Sequence, residues 1–468
     1  MSKILFALSE DNYIRNYLRT DALAALSKNH RVTVIVSSSV SLLEEIRTRK
    51  DFGGVFHIQA EHEQRHRLIF NLFMWRNRSK SPTFFYRWAR NSGWDRVQRS
   101  KTPLRRLFSI LRWVPRAVIS PLGLRIPILA NRLVFWLSRR ILIRRIPTNP
   151  DLSLIVERGK YDLIAFPSSA ADSTSADLAR IGKKLGIPTL CLIDNWDNLT
   201  SKTTFWERPS HLGVWGEQAV EQACRIHDFN RAQVHPIGTP RFDQYFDSRS
   251  SPPGKPIYPF PYLLFVGSAM PFDEIGALHR LEELMEESHI ISSDLRIVYR
   301  PHPWQQKRSV SAKFDGGDFD RTVLDTQIAI AYSGGVKAEF TNTSFQPDLA
   351  YYPRVFRGAT AVIGPLTTML FEGALALKPV LGLAYDDDVH PNTSRRYFTH
   401  FDGVEAIPEF RICSDVESLG TALSSTLSPG TISPEKSDAA TQYFLYKDHT
   451  SYPERLAKLA DSILTAPK

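Results

Sequence analysis

Residues 354–388, RVFRGATAVIGPLTTMLFEGALALKPVLGLAYDDD, decide the fold. Ala361 to Gly364 is a short apolar run ending in glycine and predicts a strand. Thr367 to Leu377 is built mostly from Ala, Leu, Met, Phe and Glu, strong helix formers, and follows a proline at the turn. Val380 to Ala384 is a second apolar run, entered through Lys378-Pro379. Strand, helix and strand at this spacing make a βαβ unit of a parallel sheet. Its first turn places Thr367 and Thr368 at a helix start on the carboxyl edge of that sheet. Hydroxyls and unbonded backbone amides there form a phosphate seat. A plain helix cap is the other reading of Thr368.

Upstream, Leu295 to Trp304 reads LRIVYRPHPW. An alternating strand ends in Arg300, and His302 follows between two prolines that fix the backbone and suppress helix. A stiff loop at the carboxyl end of a strand is where α/β proteins place ligand contacts. Arg300 and His302 beside a threonine helix start therefore form a coherent anion site, against which stands a purely structural arginine and histidine.

Working outward, the 468-residue chain is too long for one core and predicts two domains of about 200 residues each. The formal net charge of +10 points to acidic partners such as phosphate, nucleic acid or anionic lipid. Cys191, Cys224 and Cys413 are scattered, with neither metal-ligand nor disulfide spacing, which suits a reducing compartment. The opening run MSKILFAL breaks at Ser9-Glu10-Asp11 and reads as a strand rather than a signal peptide. No uncharged apolar run is long enough to predict a transmembrane helix.

The first half alternates strand and helix: Lys3 to Ser9, Asn16 to Leu26, then Arg31 to Ser37. The turn Ser9-Glu10-Asp11 lacks the glycines of a dinucleotide fingerprint, which argues against a classical NAD site. Glu10 and Asp11 sit instead on a loop at the strand's carboxyl edge. Tyr161 to Phe166, Thr189 to Ile193 and His211 to Trp215 predict further strands. Ser173 to Leu185 predicts a helix, and so does the stretch from Glu217 through Phe229. Asp194 to Thr204, DNWDNLTSKTT, gathers two acids, amides and a tryptophan at a strand end. One reading is a sugar-binding wall with the ring on Trp196; the other is a turn held by Asx bonds with Trp196 buried as a plug.

Residues 64–150 contain twenty arginines and lysines and a single acid, Asp95. Arg105 to Pro115 and Asn131 to Arg145 mix large apolar residues with arginine, as interfacial helices do. The prolines at 115, 121, 127 and 147 break the segment, and no nucleic-acid recognition module is readable. Residues 121–130 are too short and broken to span a bilayer. The alternative is a basic insertion folded back on its own domain. Ser248 to Pro261 reads as a Pro/Gly/Ser-rich linker. Beyond it come a strand from Tyr262, a helix from Glu274 to Glu287, the Arg300 loop and a tail with a final helix near Pro453.

On the residues Arg300 to Pro303, the Thr367-Thr368 turn with Glu372, Val214 to Glu217, Gly238 to Asp243 and Asn195 to Lys202, the chain resembles GT-B-fold glycosyltransferases. It is similar to the group of bacterial surface-polysaccharide, Kdo and glycerol-phosphate transferases, and more distantly to UDP-N-acetylglucosamine 2-epimerase. The resemblance covers the chain from about Ile155 onward most clearly. It departs from the group where Gly364-Pro-Leu-Thr-Thr replaces a serine pair, and in the 64–150 insertion.

The resemblance implies an α/β GT-B fold, two doubly wound parallel-sheet domains facing across a cleft. The expected division is an acceptor-side domain over 1–247, a linker over 248–261, a nucleotide-donor domain over 262–440 and a helical tail over 441–468. It implies a glycosyltransferase of surface glycans such as lipopolysaccharide or capsule, inverting and metal-independent. Its substrates would be a nucleotide-activated sugar and a saccharide or lipid-linked acceptor. A CDP-glycerol-type glycerophosphotransferase and a nucleotide-sugar 2-epimerase are the alternatives. The donor residues are expected to be Arg300, His302, Thr367, Thr368 and Glu372, and the base one of Asp197, Asp11 and Asp194. No metal and no cofactor besides the donor are expected, Asp386 to Asp388 being the exception to watch. The insertion over 104–146 is expected to hold the protein on an anionic membrane surface, peripheral on its cytoplasmic face, with no nucleic acid as partner.

Overall fold

In the computed structural model, residues 1–92, 97, 102–119, 132–250, 255–270, 272–287, 292–302, 314–333, 349–387, 397–428 and 432–466 are described. The stretch 121–130, Pro303, Trp304 and Asp388 lie outside them, as do residues 251–254 of the expected linker.

Thirteen strands are present among the described residues: β1 (Lys3–Leu8), β2 (Arg31–Ser37), β3 (Phe52–Phe56), β4 (Leu163–Ser168), β5 (Thr189–Ile193), β6 (His211–Val214), β7 (Val234–Pro236), β8 (Tyr262–Val266), β9 (Arg296–Arg300), β10 (Thr322–Leu324), β11 (Ala361–Pro365), β12 (Val380–Leu383) and β13 (Phe410–Cys413). They form two sheets, ordered β3-β2-β1-β4-β5-β6-β7 and β10-β9-β8-β11-β12-β13. Every recorded pairing is parallel. Parallel strands buried on both faces must be apolar throughout, which is why they read as continuous Val/Ile/Leu/Phe runs. In β1 the alternation is visible in the packing. Ile4, Phe6 and Leu8 enter one core with Tyr17 and Leu456, while Leu5 and Ala7 enter another with Leu178 and Val220.

The chain divides into two compact units. The first comprises Met1–Pro240, Tyr397–His400 and Tyr443–Lys468, and holds the seven-stranded sheet. The second comprises Arg241–Arg396 and Phe401–Gln442, and holds the six-stranded sheet. Each sheet is flanked by helices, a GT-B-like two-domain α/β architecture. The helical tail packs into the first unit. Its helix Tyr452–Thr465 is started by a Ser451/Glu454 capping box and buries Tyr452, Leu456 and Leu459 in the first sheet's core. Residues 248–250 of the expected linker belong to the helix Asp243–Ser250.

In each sheet the order reverses beside the first strand, between β1 and β4 and between β8 and β11. Such switch points leave a crevice outside the carboxyl ends of the strands, where ligands bind in open α/β sheets. The basic insertion occupies the crossover from β3 to β4. Its helices are Ala60–Asn77, Pro82–Ser92, Pro103–Ile119 and Arg132–Arg145. A satellite core of Leu72, Met74, Phe84 and Trp88, backed by Trp113, Phe135 and Leu142, ties them to Ile226 of the first unit.

Candidate functional site

In the second unit the carboxyl edge at the switch point is drawn tight by two glycines. A side chain at Gly364, in β11, would collide with the carbonyl of Val266 at the end of β8. A Cβ on Gly267 would lie 2.8 Å from the amide nitrogen of His302. The Gly267 amide donates to the Arg300 carbonyl at 2.8 Å, so the exits of β8 and β9 are joined backbone to backbone. Buried Glu274 fixes the same loop from below. It accepts from the Ser268 amide at 2.9 Å and from the Tyr299 hydroxyl at 2.6 Å. His302, half-buried, stands on this edge.

Arg300 is buried at the end of β9. Its Nε donates to the Tyr352 hydroxyl at 3.1 Å, and its guanidinium lies 5.4 Å from the centre of that ring. Burial works against its charge, but Tyr352, Asp325 and Glu372 outweigh it and raise its pKa further. Next along the edge, Thr367 has extended backbone and occupies the N-cap position of the Thr368–Leu375 helix, with no side-chain cap bond. The Leu370 amide closes onto the Thr367 carbonyl at 3.0 Å. The amides of Thr368 and Met369 belong to the first turn, which has no intrahelical acceptors. Glu372 is turned inward, where Arg241 and the Tyr245 hydroxyl bind its two carboxylate oxygens. The structure thus brings Arg300, His302, Thr367 and Thr368 onto adjoining loops of one edge. Glu372 stands behind them, in contact with the Arg241–Tyr245 segment.

In the first unit the acids expected to act as base lie at the carboxyl ends of β1 and β5, and each carboxylate is engaged. Asp11 is fully buried and accepts from the Ser41 amide at 2.9 Å and the Ser41 hydroxyl at 2.6 Å, locking the exit of β2. Asp194 is gripped by the side-chain amides of Asn12, Asn16 and Asn195 at 3.0, 3.0 and 3.1 Å. Asp197 accepts from Ser201 at 2.8 Å and faces Lys202 at 3.6 Å. Burial alone would raise the Asp197 pKa, but Lys202, His400 and Ser201 together hold it down to about 2. Trp196 corrects the sugar-wall reading. It is only 2% exposed, its indole nitrogen donates to Gln218 at 2.8 Å, and it packs edge-on to His400, so its ring is a plug without a free face.

Glu10 behaves differently. It sits at the exit of β1, beside the switch point, and its pKa is pushed up to about 7. Burial is the main cause, the charges of Asp172 and Asp194 add to it, and Lys202 opposes them. Asp172 caps the Ser173–Leu185 helix through the Ser175 amide at 2.8 Å and also accepts from Ser168. The sequence places Glu10 on the right loop. Its distinction from Asp11 depends on Asp172 and Lys202, remote in sequence, and so is not readable there.

A cavity of about 1940 Å³ opens elsewhere, lined by Ser2, Asp162, Pro188, Thr189 and His211. These residues lead into the strands, so the cavity lies at the amino edge of the first sheet, the opposite end from Glu10 and Asp194. Among the described residues no group of three metal-ligating side chains occurs, and no helix is long and apolar enough to cross a membrane.

No family model and no curated protein matches the chain. Solved structures do. A putative UDP-N-acetylglucosamine 2-epimerase from Listeria monocytogenes is similar over 99% of this chain and 96% of its own, with a TM-score of 0.51 at 11% identity. The UDP-GlcNAc 2-epimerase from Neisseria meningitidis gives 99% of both chains, TM-score 0.49 and 9% identity. That from Methanocaldococcus jannaschii gives 99% of both, TM-score 0.47 and 12% identity. At 11% identity the likeness to the Listeria monocytogenes structure shows the fold alone.

Proposed function

We propose that the protein is an enzyme acting on a nucleotide-activated sugar, seated at the carboxyl edge of the second sheet. The observation that carries this reading is the convergence there of the Gly267 loop, His302 and the start of the Thr368–Leu375 helix. In that role the helix-start amides with Thr367 and Thr368, together with Arg300 and His302, hold the phosphates. They stabilise negative charge as the diphosphate departs, which requires no metal. Glu372 keeps two of its roughly four acceptor positions beyond Arg241 and Tyr245, which suits a ribose hydroxyl.

In its finer form the reading is a glycosyltransferase of bacterial surface glycan biosynthesis. It would pass the sugar to a saccharide or lipid-linked acceptor, with inversion, from the cytoplasmic face of the cell membrane. Glu10 is the proposed base. A base works best with a pKa near the working pH, which its position provides and which Asp197 at about 2 does not. Asp11 and Asp194 then act by holding the loops around it.

A nucleotide-sugar 2-epimerase is the second reading, and the likeness to the Listeria monocytogenes protein favours it. For transfer speaks the β3–β4 insertion, which reaches the Asp197 loop. Ser81 donates to the Thr200 carbonyl at 2.9 Å and Arg87 to that of Ser201 at 3.3 Å. The test is incubation with a panel of UDP-, CDP- and GDP-sugars and CDP-glycerol, with and without a glycan acceptor. Acceptor-dependent release of nucleotide supports transfer, and a CDP-glycerol preference makes it glycerophosphate transfer. An isomerised sugar formed without acceptor establishes the epimerase and overturns transfer. No turnover of any donor overturns both.

A further inference from the structure

Two insertion helices carry large apolar side chains that stay exposed among the described residues. On Pro103–Ile119, Leu104, Leu107, Phe108 and Leu111 recur at the three- and four-residue spacing of one helix face. They are 70, 55, 61 and 57% exposed, while Trp113 on the opposite side packs inward. On Arg132–Arg145, Leu137 and Ile141 are 46 and 51% exposed and point outward, Leu133 and Trp136, 64 and 47% exposed, stand at the mouth of the cavity on the amino edge of the first sheet, and Phe135 and Leu142 pack on the satellite core. Large hydrophobic residues exposed on two insertion helices that share one satellite core mark an interaction surface.

Charge identifies the partner. Arg105, Arg106 and Arg112 flank the first stripe, and Arg140, Arg144 and Arg145 accompany the second. All six are exposed, and among the described residues none forms an ion pair with an acid. Arg140 stacks on Trp136, 5.2 Å from the ring centre, so an amphipathic aromatic and a guanidinium share one site. A protein partner's apolar patch would leave these guanidinium groups without counter-charges. A bilayer of anionic lipid supplies phosphates at the height of the arginines and acyl chains at the height of the leucines.

We propose that the outer faces of these two helices form a docking surface for an anionic lipid bilayer, which delivers a membrane-held acceptor to the first unit. The acceptor part rests on the transferase reading; the docking does not. The geometry links the two. Through Trp113, Phe135 and Leu142 the helices share a core with Phe84 and Trp88 of Pro82–Ser92. That helix in turn bonds the Ser201 carbonyl beside Asp197 through Arg87 and the Tyr397 carbonyl through Thr83, and Ser81 just before it bonds the Thr200 carbonyl. The docking surface therefore lies one packed layer away from the loop that carries Asp197 and Lys202.

The test is flotation of the full chain with vesicles of phosphatidylcholine alone, or with about one-third phosphatidylglycerol, at low and high salt. The expected result is binding to the anionic vesicles at low salt, weakened by salt and weak on phosphatidylcholine. Each basic residue near such a surface contributes roughly fivefold in affinity, so Arg140→Gln/Arg144→Gln/Arg145→Gln together weaken binding roughly a hundredfold. Leu107→Ser/Phe108→Ser removes the apolar grip and also weakens it. Both variants alter exposed positions, and an unchanged melting curve confirms their fold. Protein that stays unbound with anionic vesicles at low salt overturns the proposal. So does a dimer in solution that Leu107→Ser/Phe108→Ser converts to monomer, because a second copy then covers the stripe. A chain that floats but turns over no donor refutes the transferase reading and leaves docking intact; a chain that glycosylates a water-soluble acceptor but never floats does the reverse.

Discussion

Glu10→Gln isolates the group assigned to proton transfer. With its pKa near 7, Glu10 is about one-tenth ionised at pH 6 and about nine-tenths at pH 8, so kcat/KM rises roughly tenfold between them. A carboxyl at its ordinary value of about 4.5 is already ionised at pH 6 and gives a flat profile there. Glu10→Gln is expected to lower kcat/KM by roughly 10²–10⁴ and to erase the rising limb. Two neighbours move the limb without touching substrate. Asp172→Asn removes a charge that raises the Glu10 pKa and shifts the limb to lower pH, while Lys202→Met removes the opposing charge and shifts it higher. The same group affects stability. Its folded pKa lies above the unfolded value, so its contribution is full below the ordinary carboxyl range and is lost as pH rises through about 7. Glu10→Gln therefore melts higher than the parent near pH 8 and loses that advantage toward pH 5. The shift sets an upper limit of about 3 kcal/mol, reduced by whatever solvent reaches the group. The assays are a pH–rate profile on whichever donor turns over, and carboxyl-carbon NMR titration of the apo protein, which needs no substrate. A Glu10 resonance titrating near 4.5, or a rising limb that survives Glu10→Gln, refutes the assignment.

Gly364→Ala sets a methyl against the Val266 carbonyl, and such overpacking costs about 1–3 kcal/mol; the second unit should melt several degrees lower by calorimetry. Glu372→Gln removes the charge facing Arg241 in a buried pair, costing about 3 kcal/mol, which is roughly 10 °C in a domain of this size. If the melting point does not move, the buried arrangement is wrong. Asp11→Asn is expected to lower thermal stability through the loss of its Ser41 bonds while leaving the pH of the rising limb almost unchanged. A limb that disappears in Asp11→Asn moves the base from Glu10 to Asp11.

Much of the architecture was legible because buried parallel strands announce themselves. Arg31–Ser37, Ser173–Leu185, Thr189–Ile193 and Glu274–Glu287 have the limits their composition predicts. β3, β7, β10 and β13 escape a sequence reading for physical reasons. β3 carries a glycine pair, β7 and β10 have three residues each and β13 four, and all four are short outer strands of their sheets. The packing of the tail helix is not readable locally because its docking partner, the 22–29 helix, lies at the other end of the chain. At the second-unit edge the local motif carried the placement, since prolines and a helix start are local devices. The state of each acid was not legible. Asp11, Asp194, Asp197 and Glu10 are chemically alike in sequence and are told apart only by Ser41, three asparagines, Lys202 and Asp172 respectively.

The central claim is that the carboxyl edge of the second sheet seats a nucleotide diphosphate, and calorimetric titration of the full chain with UDP, CDP and GDP tests it most directly. At least one nucleotide should bind, with affinity unaffected by EDTA. Loss of a charge-assisted contact is worth about 1.5–3 kcal/mol, so His302→Ala should weaken binding roughly ten- to hundredfold. Gly267→Ala, which forces the loop away from His302, should weaken it as well. Absence of binding to all three nucleotides, or binding that neither substitution alters in a protein that remains folded, contradicts the account.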